Sequence, residues 1–120
     1  LRGACLRVAA GLAISGVYEL GPIRDTYLNE KLRLTDVEVR TLSPLRLAQS
    51  VKPLDIAYGT KELPALVESS RDLHAKRGGL HLPGSLVPAP GHDHFTIMET
   101  LRDPAGLLTR CVRSLRESLA

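Results

Sequence analysis

Residues 8–14, Val-Ala-Ala-Gly-Leu-Ala-Ile, are apolar at every position and lack the alternation that marks a strand with one wet face. A strand apolar on both faces is buried on both faces, as in a parallel sheet covered by helices. This strand is expected over residues 7–16, ending at Gly16. A second run, Pro53-Leu54-Asp55-Ile56-Ala57-Tyr58, also stops at a glycine, Gly59. A third candidate covers residues 80–87, where Pro83 and Gly84 interrupt it and make it an edge or bent strand.

Helical signals fill the gaps. Pro22 is well placed to open a helix, and residues 23–34 are weakly helical, with Ile23, Tyr27, Leu28 and Leu32 on one face. Thr35 and Glu38 form a capping box for the next helix, which Ser43-Pro44 stops. Pro64 starts a helix expected to run to about Lys76, with Leu66, Val67, Ser70 and Leu73 inward and Arg77-Gly78-Gly79 as its stop. Pro88-Ala89-Pro90-Gly91 is a rigid loop leading into His92-Asp93-His94-Phe95. A turn over residues 96–101 follows, then a break at Asp103-Pro104 and an amphipathic helix over residues 105–119. Leu107, Leu108, Cys111, Val112, Leu115 and Leu119 line its apolar side. Strands alternating with helices predict an α/β fold around a thin parallel sheet of about three strands.

Composition narrows the function classes. With 120 residues and 43% of them hydrophobic, the chain is one ordinary domain at most, and disorder is excluded as a description. The longest apolar run is far short of the roughly 20 residues a membrane span requires. The net charge of +3, with Tyr 3, Phe 1 and Trp 0, lacks the stacking aromatics of a nucleic-acid surface. Cys5 and Cys111, at opposite ends in apolar surroundings, are expected to be buried free thiols rather than a disulfide. No secretion signal is visible, so the cytoplasm is the expected location. The chain opens on Leu1 beside a strand, and three strands are few for a doubly wound domain, so a fragment or processed piece is expected.

His92-Asp93-His94 is the densest cluster of chemistry-bearing residues. A metal site needs further ligands at workable spacing; His74, His81, Cys5 and Cys111 are poorly placed to supply them, and no metal is expected. The other reading is a single catalytic histidine. In open parallel sheets ligand chemistry gathers at the carboxyl ends of strands, where both residues 92–94 and Gly59-Thr60-Lys61-Glu62 fall. A carboxylate there can hold an imidazole in one tautomer, and acid before histidine is the hydrolase order. Against this, loop histidines are commonly plain surface residues, and Glu62 also suits the positive end of the helix that follows.

Ala13-Ile14-Ser15-Gly16-Val17-Tyr18-Glu19-Leu20 with Pro22-Ile23, then Tyr27-Leu28-Asn29 and Leu42-Ser43-Pro44, resemble landmarks of the α/β-hydrolase fold in its arylformamidase (kynurenine formamidase)-like esterase branch. Gly59-Thr60-Lys61-Glu62, Pro64 and Ser70-Arg71 are similar to that family's acid loop and following helix. Gly91-His92-Asp93-His94-Phe95-Thr96-Ile97 resembles its histidine loop, G-x-N-H-F-S. These landmarks cover nearly the whole chain in the correct order.

The resemblance implies that His94 is the triad histidine, because it directly precedes the phenylalanine, and that Glu62 is the triad acid. Asp55 is a rival acid, less suited by its mid-strand place; His92 and Asp93 match variable or Asn-like positions. The family's nucleophile sits in a Gly-x-Ser-x-Gly-like elbow and its oxyanion hole in a His-Gly-Gly-like loop, both upstream. No serine here has the flanking glycine pair; Ser15-Gly16 comes nearest and matches a structural position. The resemblance therefore implies that residues 1–120 are the C-terminal half of one α/β-hydrolase domain, acting on small carboxylic esters or aryl formamides without cofactor or metal. Such a chain is expected to be inactive alone, to need its N-terminal half as the same or a second chain, and to pair through exposed edges, a homodimer included. The opposing expectation is a non-catalytic α/β interaction module or an inactive hydrolase fragment.

Overall fold

A computed structural model describes residues 7–120 of the chain. Three parallel strands form one sheet in the order β1-β2-β3: β1 is Gly11–Ile14, β2 is Leu54–Gly59 and β3 is Leu86–Ala89. Gly11 pairs with Leu54 and Ile14 with Ala57, while Ile56 pairs with Leu86 and Gly59 with Ala89. β2 is the central strand, and all but its first residue are buried.

Alternate residues of the strands build two cores, one on each face. On one face Ala57 and Ala89 pack with Ile97 and Leu108, and Leu12, Ile14 and Val87 lean on them. On the other, Ile56 packs with Tyr18 and Leu73, flanked by Ala13, Leu54 and Leu86. The helices divide accordingly. Helix α4, Pro64–Gly79, covers the second face through Leu73. Helix α6, Leu107–Ser118, and the 3-10 turn Thr96–Met98 ahead of helix α5, Glu99–Arg102, cover the first.

Between β1 and β2 the chain makes two single-turn helices, α1 (Gly21–Arg24) and α2 (Asn29–Leu32), then α3 (Asp36–Leu42). The continuous helical stretch expected over residues 23–34 is thus broken in two. Thr26 intervenes, its hydroxyl donating to the Ile23 carbonyl at 2.7 Å, and Asn29 Oδ1 accepts from Leu34 N–H at 2.7 Å to close the second turn. Thr35 and Glu38 make both halves of the capping box that opens α3. Ser43 ends it and ties the segment together: its hydroxyl donates to the Val39 carbonyl at 2.6 Å and accepts from Leu20 N–H at 3.0 Å. Arg46 grips Glu19 with two bonds of 2.9 Å, and this pairing holds the Glu19 carboxyl below the usual carboxylate range.

Three boundaries differ from expectation. β1 is four residues rather than residues 7–16, because β2 begins only after Pro53 and leaves residues 8–10 nothing there to pair with. α4 runs through Gly78 and Gly79. The left-handed residue that ends the turn is His81, with φ of 56°, and Leu80 N–H reaches back to the Lys76 and Arg77 carbonyls. β3 lies at residues 86–89 instead of 80–87, so Leu80 and Leu82 belong to the helix exit. Pro88 sits within β3, which among the described residues pairs with β2 alone, where a missing N–H is tolerated. The Arg77 guanidinium is buried at the end of α4, where it donates to the carbonyls of Ser50, Lys52 and Pro83.

The apolar side expected on α6 is covered only in part. Leu108 is buried and Val112 and Leu119 are exposed. With residues 8–12 and Leu115 these last two line an open apolar groove of about 510 Å³. Cys111 is a half-buried free thiol, pushed up from its ordinary value by burial; Cys5 lies outside the described residues. Among the described residues no helix is long and apolar enough to cross a membrane.

Candidate active site

The carboxyl ends of all three strands feed one corner of the molecule. β1 runs into Ser15, β2 into the loop that carries Glu62, and β3 into the loop that carries His94. Glu62 and His94, 32 residues apart in sequence, meet there: His94 Nδ1 lies 3.2 Å from Glu62 Oε1. With its proton on Nδ1, His94 donates to that oxygen. The Glu62 side chain is fully buried, whereas that of His94 is 47% exposed. A fixed acid behind a histidine that still reaches solvent is what proton transfer to a second reactant requires. Among the described residues nothing hydrogen-bonds His94 Nε2, which leaves that nitrogen for such a reactant.

The acid is held at both oxygens. Glu62 Oε2 accepts from the Ser15 hydroxyl at 2.7 Å and from Gly59 N–H. Glu62 N–H in turn donates to the Gly59 carbonyl at 3.1 Å, so residues 59–62 close into a tight turn around the side chain. The histidine loop is docked on this turn through backbone. Lys61 N–H donates to the His92 carbonyl at 3.0 Å, and Gly91 N–H donates to the Thr60 hydroxyl at 2.9 Å. Gly59 makes that approach possible: a Cβ there would overlap the His92 carbonyl oxygen.

Asp93 shapes the loop from within. Its Oδ1 accepts from the N–H groups of Phe95 and Thr96, both at 2.8 Å, and Thr96 Oγ1 accepts from Asp93 N–H at 3.0 Å. Those two N–H groups, Thr96 first, hold the Asp93 carboxyl below the ordinary aspartate range. A lowered folded-state value means that its contribution is present above the unfolded pKa, about 3.9, and is lost as pH falls through the folded one. The turn is therefore expected to stay closed at neutral pH and to loosen only in strong acid. Asp93→Ala is expected to loosen it already at neutral pH, read as faster hydrogen exchange at Phe95 and Thr96. Exchange equal to wild type at pH 7 contradicts this.

The remaining candidates separate cleanly. Asp55, the rival acid, is buried within β2 and accepts from Ser85 N–H at 2.8 Å, fixing the entry to β3. His92 Nδ1 lies 3.2 Å from Thr96 Oγ1, a contact within the loop. Ser15 is the residue that sequence reasoning placed as purely structural and that the fold brings into the site. Beside the pair lies a cavity of about 470 Å³ whose lining includes Val17, Ile23, Leu28, Leu63, Leu66 and Phe95. Phe95 lines it, whereas Tyr18 is core and Leu20 and Tyr27 are absent from its wall. Phe95 is 81% exposed and stands edge-on to the His94 ring at 5.3 Å.

This arrangement has relatives. The kynurenine formamidase of Danio rerio is 28% identical over 110 residues, covering 87% of this chain and 38% of that protein. That of Salmo salar is 31% identical over 104 residues, covering 81% of this chain and 35% of the relative. The chain is arylformamidase-like in sequence and has the α/β-hydrolase fold. It spans well under half the length of the curated relatives it matches. Among solved structures, this arylformamidase-like chain superposes on a thioesterase candidate from Silicibacter with a TM-score of 0.75 and 24% identity, covering 87% of this chain and 38% of that one. Esterase 2 of Thermogutta terrifontis matches in its native form with a TM-score of 0.63 at 18% identity, over 93% of this chain and 41% of the esterase. The same esterase phosphoramylated by tabun gives 0.57 at 22%, over 76% and 33%. These structures establish the fold. No protein-family profile matches the chain.

Proposed function

We propose that the protein carrying this chain is a serine-type hydrolase of small carboxylic esters or aryl formamides, in which Glu62 and His94 are the acid and base of the triad. The observation that carries this reading is the buried Glu62 oxygen 3.2 Å from His94 Nδ1, at the carboxyl ends of the strands. A serine from outside residues 1–120 attacks the carbonyl carbon. His94 Nε2 takes its proton and returns it to the leaving group, while Glu62 fixes the tautomer and stabilises the imidazolium that forms between the two steps. The apolar wall of Leu63, Leu66 and Phe95 receives the hydrocarbon part of the substrate. The kynurenine formamidase and esterase relatives support this choice of substrate class.

On this reading residues 1–120 are the C-terminal part of a single hydrolase domain. The open edge of β1 and the apolar groove beside α6 then receive the strand and helix that carry the nucleophile. The test is turnover of an aryl formamide and of a nitrophenyl ester, by this chain alone and by the complete protein. Turnover is expected from the complete protein and not from the chain alone. A complete protein inert toward both substrates favours the non-catalytic interaction module.

A further inference from the structure

We propose that Ser15 is a positioning residue for the acid, holding Glu62 so that its other oxygen faces His94. This rests on the reading of Glu62 and His94 given above and adds a third residue to it. Three observations carry it. Ser15 is buried, and its hydroxyl donates to Glu62 Oε2 at 2.7 Å across 47 residues of sequence. Glu62 Oε2 has the Ser15 hydroxyl and Gly59 N–H as its donors, so the serine, with that backbone N–H, sets how the carboxylate plane is turned while Oε1 is left for His94. Finally, Ser15 has φ of 49°, a left-handed backbone that favours glycine. A glycine would satisfy that backbone without strain and would lack the hydroxyl. The side chain present at a position that disfavours it is the one that reaches the carboxylate.

Two substitutions separate positioning from simple packing. Ser15→Gly removes the hydroxyl and relieves the backbone; Ser15→Ala removes the hydroxyl and keeps the strain. The test uses the complete protein with 15N-labelled histidine. Both variants are expected to lose the uniform Nδ1–H tautomer of His94 and to show a mixture with the Nε2–H form. Both are also expected to lower kcat about 10- to 100-fold with KM unchanged, the scale of a misplaced catalytic group. For Ser15→Gly this is expected at a melting temperature equal to or above that of wild type. A Ser15→Gly protein with wild-type tautomer and kcat overturns the proposal and leaves Ser15 as a turn residue. If the wild-type protein turns over neither ester nor formamide, the functional reading falls, and the tautomer comparison alone still decides whether Ser15 sets Glu62.

Discussion

Replacing His94 by alanine in the complete protein is expected to lower kcat on a chromogenic ester by up to about a million-fold, with little change in KM. The size follows from its place. His94 is the group that touches both Glu62 and the solvent-open side of the site, so on the proposed mechanism the proton path from nucleophile to leaving group runs through one ring. Glu62→Gln keeps the shape of the acid and removes its charge; a loss of about 10⁴-fold is expected, the cost of a misdirected imidazole. The double variant is expected to lose no more than His94→Ala, because an acid with no histidine to orient has nothing left to do. Losses that multiply, or a His94→Ala protein within about tenfold of wild type, contradict the assignment.

The second large effect comes from a residue with no side chain. Gly59→Ala is expected to destabilise the fold by about 1–3 kcal/mol, in the range of overpacked cores, and to cut activity about 100-fold by moving the histidine loop. The added Cβ meets the backbone carbonyl of His92, which cannot rotate away as a flexible side chain can. The same carbonyl accepts Lys61 N–H, so displacing it also breaks the contact that docks one loop on the other. Gly78→Ala is the control: nothing lies within 4 Å of a Cβ there, inside α4. It is expected to be neutral or to stabilise by about 0.5–1 kcal/mol through helix propensity. Chemical denaturation of both variants checks the contrast, and equal midpoints contradict it.

Much of this was legible in the residues because local signals and global fold agree. The unalternating apolar runs behind β1 and β2, the Gly59 stop, the Thr35–Glu38 capping box and the Ser43-Pro44 stop each act within a few residues. β1, by contrast, ends at Ile14, ahead of left-handed Ser15 and not at Gly16. The placing of Glu62 and His94 at strand ends also follows from order along the chain. What stayed hidden depends on contacts distant in sequence. The length of β1 is set by where β2 begins, some 40 residues later. The exit of α4 is set by His81 adopting a left-handed turn that glycine usually fills. Ser15 shows no sign in sequence that it reaches a carboxylate in another loop. The wall formed by Val17, Ile23, Leu28, Leu63, Leu66 and Phe95 assembles from three stretches distant in sequence, so no local pattern announces it.

The central claim is that this chain supplies an acid and a histidine to a nucleophile that lies outside it. A fluorophosphonate probe, which forms a stable bond only with an activated serine, tests this when applied to the complete protein and followed by peptide mass analysis. The account predicts one labelled serine, outside residues 1–120, and no labelling at that serine in His94→Ala. Label on any serine within the 120 residues, or labelling indifferent to His94→Ala, contradicts it.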